Sequence, residues 1–176
     1  MKIEEQNDAL KAENRIALKR YEFAIKCLDR RTNKKIVDIG CGMGYGCQML
    51  RDAGYKNVVG IDDNNTALLY ANENYPGTYI NRNIEDTEIL GYDIGICLEV
   101  LCHLHKPGKF LDSLELEELI ISAAIDPDPN DGYFYRIHNL SEKHFMGLLQ
   151  KGGWLISDVL DQKKYMTIHA TRFPIF

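Results

Sequence analysis

A glycine-rich stretch between residues 34 and 50, KKIVDIGCGMGYGCQML, constrains the fold more than any other part of the sequence. An apolar run from Ile36 to Ile39 leads into glycines at positions 40, 42, 44 and 46, and an apolar pattern with helical spacing follows. This order predicts a buried strand, a tight turn and the start of a helix. Glycine lets such a turn adopt positive φ and lets a ligand contact the backbone, where the first N–H groups of the helix are also presented.

The spacing of the glycines discriminates between ligands. A dinucleotide-binding turn, G-x-G-x-x-G, would need its third glycine at Tyr45 or Cys47, whereas the sequence reads D-x-G-x-G-x-G from Asp38 to Gly44. The segment VDIGCGMGYG resembles motif I of the class I S-adenosylmethionine-dependent methyltransferases, in which the turn packs against the amino-acid end of the cofactor. The resemblance implies S-adenosyl-L-methionine as cofactor and S-adenosyl-L-homocysteine as product, bound here by Asp38, Gly40, Cys41, Gly42, Gly44 and Tyr45. A generic glycine-rich turn is the alternative.

Length, charge and cysteine content narrow the class of protein. A chain of 176 residues with a formal charge of −5 suits one domain, and an acidic surface makes nucleic acid and anionic lipid unlikely partners. We find no apolar run of about 18 residues and no signal-peptide core in the charged N-terminal segment. Five cysteines without a C-x-x-C pair argue against zinc and favour a reducing compartment. The expected location is therefore the cytoplasm, without a membrane partner, and the oligomeric state stays open.

Alternating strand and helix patterns, together with the resemblance, predict the α/β class. We expect a Rossmann-like, doubly wound sheet of seven strands, mostly parallel, with an antiparallel last strand and helices on both faces. A single cofactor-binding domain over residues 31–176 would be preceded by a capping helix within residues 1–30.

The capping helix is predicted from an apolar stripe formed by Ala17, Tyr21, Ala24 and Leu28. Its RYEFA tract resembles the leading helix of small methyltransferases, which often caps the cofactor pocket. We therefore place Tyr21 among the candidate substrate contacts. A helix that only covers the edge of the sheet is an equal alternative.

The second strand, VVGID, ends in an acid that is suited to a ribose. Asp62 lies 22 positions after Gly40, near the offset of ~20 residues at which an acid meets ribose hydroxyls. A carboxylate supplies the two acceptors that those hydroxyls need. Asp63, also assigned to the cofactor site, is expected to point away or to cap the next helix. Helix capping alone is the alternative for Asp62.

A loop after the third strand is the expected adenine site. Relatives often carry an acid here that accepts from the adenine amino group, and this chain has Asn83, whose amide oxygen can also accept. Ile84 would lie on the adenine face. A plain polar loop is the alternative.

The segment EVLCHL after the fourth strand resembles the E-V-x-E-H segment of many small-molecule methyltransferases. Glu99 is predicted to border both cofactor and reacting methyl group, and His103 is the candidate catalytic base or substrate contact because imidazole titrates near neutral pH. A structural histidine is equally expected for His103. Some relatives bind a metal through a second glutamate, which is Cys102 here, and a thiol is a poor ligand for magnesium, so no metal is predicted.

Acceptor recognition is expected after the fifth strand, where the loop DPDPNDG precedes an aromatic run. The candidate substrate residues are Tyr133, Tyr135, Arg136 and His138. We set His105 and His169 aside as a surface-turn residue and a residue of the closing hairpin, and we assign His144 to the start of the last helix. A nucleophilic cysteine at position 41 or 102 is disfavoured.

The functional hypothesis is a methyltransferase that moves a methyl group from S-adenosyl-L-methionine to a small-molecule substrate, with oxygen favoured over nitrogen as the acceptor atom. Two other classes stay open: a non-catalytic partner subunit that keeps the cofactor pocket, and a nucleotide-binding oxidoreductase. The sequence does not identify the acceptor.

Overall fold

A computed structural model of the chain describes residues 3–29, 31–128 and 136–172, with side chains described from residue 15 onward. Helices and strands alternate through most of this part of the chain. The helices are α1 (Ile3–Cys27), α2 (Tyr45–Asp52), α3 (Asn65–Asn74), α4 (Pro107–Ser113) and α5 (Glu142–Lys151). The strands are β1 (Lys35–Ile39), β2 (Asn57–Asp62), β3 (Thr78–Asn81), β4 (Ile94–Leu98), β5 (Glu118–Ala124), β6 (Leu155–Asp161) and β7 (Tyr165–Thr171).

The strands form one seven-stranded sheet in the order β3-β2-β1-β4-β5-β7-β6. Strands β1 to β5 pair in parallel, and β7 runs antiparallel to both of its neighbours, β5 and β6. The predicted fold class is confirmed, including the antiparallel last strand. The central strands read as continuous apolar runs because helices cover both faces of the sheet.

Two apolar clusters fill the space between the sheet and its helices. One face packs against α4 and α5, which contribute Phe110, Leu111, Phe145 and Leu149. The other face packs against α1, α2 and α3, and Ala24 in the second half of α1 and Leu28 directly after the helix are completely buried. The apolar stripe read from the sequence is therefore the part of α1 that anchors it to the domain.

Helix ends follow local capping chemistry, with one correction. Ser141 caps α5, because its hydroxyl accepts from the amide of His144 at 3.2 Å, so His144 lies at the start of the last helix as predicted, and Gly152 is the C-cap residue. The cap of α3 is Asn64, whose side chain accepts from the amide of Ala67 at 3.1 Å. The alternative that Asp63 caps this helix was wrong, since the residue after it carries the capping geometry. No helix within the described ranges is long and apolar enough to cross a membrane.

The topology fixes where a ligand can bind. Strand β1 lies between β2 and β4, so the chain reverses its direction of progress across the sheet at this point. Ligands of open α/β sheets bind beyond the carboxyl ends of the strands at such a switch point. The glycine turn follows β1, Asp62 ends β2 and Glu99 follows β4, so the three predicted segments meet at one edge.

Candidate active site

The glycine turn between β1 and α2 leaves one stretch of backbone bare. Gly40, Gly42 and Gly44 have φ values of 74°, 53° and 79°, in the left-handed region that favours glycine. A Cβ atom at Gly40 would lie 2.5 Å from the side chain of Val100, and one at Gly44 would lie 2.7 Å from that of Ala71. A Cβ atom at Gly42 would meet nothing within 4 Å. The backbone of Gly42 therefore faces open space between two closely packed glycines.

Asp62 stands opposite this bare backbone. One carboxylate oxygen accepts from the amide of Gly42 at 2.8 Å, and the other accepts from the amide of Asn64 at 2.9 Å. A carboxylate offers about four lone pairs, so about two remain for a further pair of donors. Asp62 thus holds the turn and the start of α3 together while keeping acceptor capacity toward the crevice.

A crevice of about 370 Å³ opens beside Asp62. It brings together seven residues that the sequence assigned to the site: Gly40, Asp62, Asp63, Asn83, Ile84, Glu99 and His103. Six more line it without having been predicted: Arg82, Glu85, Leu98, Val100, Leu104 and His105. The side-chain oxygen of Asn83 accepts from the amide of Glu85 at 2.9 Å, which uses one of its lone pairs and leaves the other.

Asp38 lies beneath the turn rather than along the crevice. Its carboxylate is 1% exposed and accepts hydrogen bonds from the Tyr21 hydroxyl at 3.0 Å and the Cys47 thiol at 3.3 Å. Burial raises the pKa of Asp38 to about 6, although both hydrogen bonds act in the opposite direction. Burial, followed by the charge of Asp38, raises the pKa of Tyr21 well above its ordinary value, so this hydroxyl remains a donor.

Tyr21 therefore contacts the turn from below. Its ring occupies the space next to Gly46, where a Cβ atom would lie 1.9 Å from the ring. It also packs edge-on against Tyr45, the first residue of α2, at 5.6 Å between centroids. The predicted residues Tyr21, Asp38, Cys41 and Tyr45 thus support the turn, and none of them lines the crevice. Their assignment to substrate or cofactor stays a prediction.

Glu99 is held in a strained backbone conformation at the end of β4. Its φ is 60°, which is uncommon for a residue with a side chain, and its amide donates to the hydroxyl of Ser122 at 3.1 Å. The Ser122 hydroxyl donates back to the carboxylate at 2.7 Å, and Arg20 lies 3.5 Å from the same oxygen. Arg20 is 5% exposed and stacks on the ring of Tyr165, 4.4 Å from the centroid. This network joins α1 to three strands at the crevice.

The turn after β4 collects two further predicted residues. The amides of Ile137 and His138 both donate to the carbonyl of Cys102, at 2.7 and 3.1 Å, and Arg136 hydrogen-bonds to the Cys102 thiol. His103 is exposed at the crevice, on a single 3₁₀ turn, Leu101–His103. Burial raises the pKa of Cys102 to about 11, which keeps the thiol protonated and argues against a nucleophilic role. Tyr133 and Tyr135 lie outside the described residues.

Sequence reasoning missed residues whose partners are distant along the chain. Arg20 stood in the quoted RYEFA tract, but nothing there indicated that it would meet Glu99. His105 was set aside as a surface residue; it is exposed, yet it lines the crevice and pairs with Glu85 at 2.8 Å. A usable signal was its position two residues after His103, beyond the carboxyl end of a parallel strand.

Comparisons with known proteins agree with this geometry. A family model described as a methyltransferase domain matches residues 37–115. A tRNA U34 carboxymethyltransferase from Colwellia psychrerythraea is 32% identical over 112 residues, which cover 56% of this chain and 35% of that protein. A ubiquinone biosynthesis O-methyltransferase from Rickettsia bellii is 30% identical over 141 residues, covering 75% and 55%. The chain thus spans about a third to a half of these relatives' length.

A solved structure extends the agreement to the whole fold. An S-adenosylmethionine-dependent methyltransferase from Mesorhizobium loti superposes with a TM-score of 0.73 over 87% of this chain and 98% of that one, at 15% identity. The matched domain covers Gly40 of the glycine turn, Asp62, the Asn83 loop and the segment after β4, all of which line the crevice. Residues 37–115 thus match a methyltransferase domain, and the chain as a whole has the fold of a solved S-adenosylmethionine-dependent methyltransferase.

Proposed function

We propose that this protein binds S-adenosyl-L-methionine in the crevice beside Asp62 and transfers its methyl group to a small-molecule acceptor, with oxygen favoured over nitrogen as the methylated atom. The observation that carries the proposal is the pairing of bare backbone at Gly42 with a carboxylate that keeps free lone pairs. Bound there, the cofactor supplies an electrophilic methyl group, and the protein's task is binding, alignment and control of the acceptor's proton.

The residues divide by the part of the cofactor that they would hold. Asp62 accepts from the ribose hydroxyls, while Asn83 and Ile84 bind the adenine, with the remaining lone pair of Asn83 directed at the amino group. The turn from Gly40 to Gly44 packs against the amino-acid end. Asp38 acts from below, by fixing the turn through its contacts with Tyr21 and Cys47. This division is supported by the lining of the crevice, which includes residues of the Asp62, Asn83 and Glu99 segments.

The methyl group would face the segment after β4. His103 is exposed there and is the candidate base for a hydroxyl acceptor, since imidazole accepts a proton near neutral pH. Arg136 and His138 lie next to the same turn through Cys102 and are the candidate acceptor contacts. An amine acceptor would need such a base less, so a strong dependence of turnover on His103 favours oxygen.

The two relatives point to different acceptors. One is named for ubiquinone biosynthesis and the other for tRNA. A small-molecule acceptor is supported by coverage, because the ubiquinone-pathway relative aligns with 75% of this chain and the tRNA relative with 56%. It is also supported by the net charge of −5, which disfavours binding to a nucleic acid backbone. A tRNA acceptor is the second candidate within the same enzyme class.

Two alternatives from other classes remain testable. A nucleotide-binding oxidoreductase is disfavoured by Tyr45 and Cys47 at the glycine positions that its turn requires, and by the antiparallel β7. A partner subunit that binds the cofactor without transferring a methyl group would share the entire crevice. Transfer of a radiolabelled methyl group to a cell extract separates that subunit from an enzyme.

Calorimetry with S-adenosyl-L-homocysteine tests the proposal directly. Wild-type protein should bind it, and Asp62→Ala should lower the affinity about tenfold or more, because two charge-assisted hydrogen bonds are lost. Glu73→Gln, on the exposed face of α3, removes a carboxylate away from the crevice and serves as the control. Absence of binding heat with the wild type at millimolar ligand, or equal affinity in Asp62→Ala, would contradict the proposal.

A further inference from the structure

A second groove adjoins the adenine end of the crevice. It has a volume of about 530 Å³ and lies between the loop after β3 and helix α4. The crevice and the groove share three lining residues, Ile84, Glu85 and His105. These three residues therefore lie at the boundary between the two spaces.

Glu85 bridges the two walls with both of its carboxylate oxygens. One oxygen lies 2.8 Å from Nδ1 of His105, and the other accepts from the amide of Lys106 at 3.1 Å. The hydrogen bond from His105 lowers the pKa of Glu85, which keeps the bridge ionised at neutral pH. The loop that carries Glu85 is thereby tied to the turn that leads into α4.

The bridge also reaches the predicted adenine contacts along the backbone. The amide of Glu85 donates to the side chain of Asn83, and Ile84 lies between the two residues. A shift of Glu85 would carry Asn83 and Ile84 with it, because the three are consecutive in the chain and Glu85 is hydrogen-bonded to Asn83. The loop is otherwise exposed at positions 82, 83, 85 and 86, so packing alone does not fix it.

We propose that Glu85 is a positioning residue for the adenine end of the cofactor: by joining the Asn83 loop to His105 and Lys106, it closes the crevice off from the neighbouring groove. The inference rests on the proposed function, since it presumes that adenine lies against Asn83 and Ile84. Glu85 acts through the loop rather than on the reacting atoms.

Binding of two probes, adenosine and S-adenosyl-L-homocysteine, tests this role. Glu85→Ala should weaken both by about tenfold and by the same factor, because the loss of two hydrogen bonds acts on the nucleoside that both probes share. Glu85→Gln keeps an oxygen for the Lys106 amide and should fall between the wild type and Glu85→Ala. Turnover at saturating cofactor should stay within about twofold of the wild type, because the substitution weakens binding of the ground state and of the transition state equally.

A matched control and a double variant complete the test. Glu88 lines only the groove and has no hydrogen bond or ion pair within the described part of the chain, so Glu88→Ala should bind both probes like the wild type. Adding His105→Ala to Glu85→Ala should cause no further loss of affinity, because Glu85→Ala alone already breaks the contact between Glu85 and His105. Wild-type binding with no loss in Glu85→Ala, or losses that multiply in the double variant, would overturn the inference. A wild type that binds neither probe would instead contradict the proposed function.

Discussion

Two buried carboxylates near opposite ends of the parallel strands show opposite pKa shifts. Asp38, near the carboxyl end of β1, meets only neutral donors, and burial raises its pKa to about 6. Glu118, at the amino end of β5, is buried as well, but hydrogen bonds from His169 and Arg31 outweigh burial and lower its pKa to about 2. The charged form of the carboxylate is therefore stabilised at Glu118 and destabilised at Asp38.

The difference follows from what each carboxylate supports. Glu118 joins β7 and the segment after α1 far from the crevice, where cationic partners compensate its burial and stabilise the fold. Asp38 fixes the turn that faces the crevice, and the hydroxyl and thiol beside it do not neutralise its charge. We interpret the uncompensated carboxylate as a cost that the site tolerates because the turn must be held from below.

The largest effect is expected from Glu118→Gln. Its folded pKa lies below the ordinary value of about 4.3, so its contribution is complete above that pH and is lost as the pH falls through about 2. The variant should lose about 3 kcal/mol of unfolding free energy at pH 7, and the loss should shrink below pH 4. Urea unfolding across this range measures it. Glu117→Gln removes an exposed partner of Lys34 and should cost less than about 1 kcal/mol; equal losses in both variants would refute the comparison.

Asp38→Asn should show the opposite dependence on pH. A carboxyl group with a raised folded pKa stabilises most below its ordinary value of about 3.9, and this contribution is lost as the pH rises through about 6. The unfolding free energy of the wild type relative to the variant should therefore fall by about 2–3 kcal/mol between pH 4 and pH 7. Asp52→Asn, on the exposed side of α2, is the control. Parallel pH profiles for wild type and Asp38→Asn would show that burial does not raise the pKa of Asp38.

A smaller effect should follow from Tyr21→Phe. Loss of the hydroxyl removes one donor from Asp38 and should cost about 1 kcal/mol. It should also raise the pKa of Asp38 further, because that hydrogen bond favours the charged form. The pH at which stability declines would then move upward, as unfolding at several pH values can measure. Tyr45→Phe removes a hydroxyl with no hydrogen bond among the described residues and should leave the profile unchanged; a matching shift in that variant would contradict the assignment.

The sequence predicted the part of this comparison that depends on local pattern. The apolar run from Ile36 to Ile39 and the glycines after it predicted a strand, a turn and a helix, and β1 (Lys35–Ile39), the turn above Asp38 and α2 confirm that order. The offset between Gly40 and Asp62 predicted an acid at the end of the second strand, and Asp62 does end β2, where it accepts from the amide of Gly42. These features were accessible because each is set by residues close in sequence or by a regular crossover.

The rest could not be predicted because the partners are far apart in the chain. Glu118 follows Glu115 and Glu117 in the run LELEEL, and nothing local distinguishes the buried acid from its exposed neighbours. Its partners Arg31 and His169 are 87 and 51 positions away. Arg20 and Glu99 likewise meet only once α1 is docked on the sheet.

A crystal structure with S-adenosyl-L-homocysteine bound tests the central claim most directly. We predict ribose hydroxyls within hydrogen-bonding distance, about 2.6–3.0 Å, of the Asp62 carboxylate. The backbone of Gly42 should lie against the ligand, and the adenine should lie beside Asn83 and Ile84. A ligand bound elsewhere, or a crevice in which Asp62 contacts only solvent and its own backbone partners, would contradict the account.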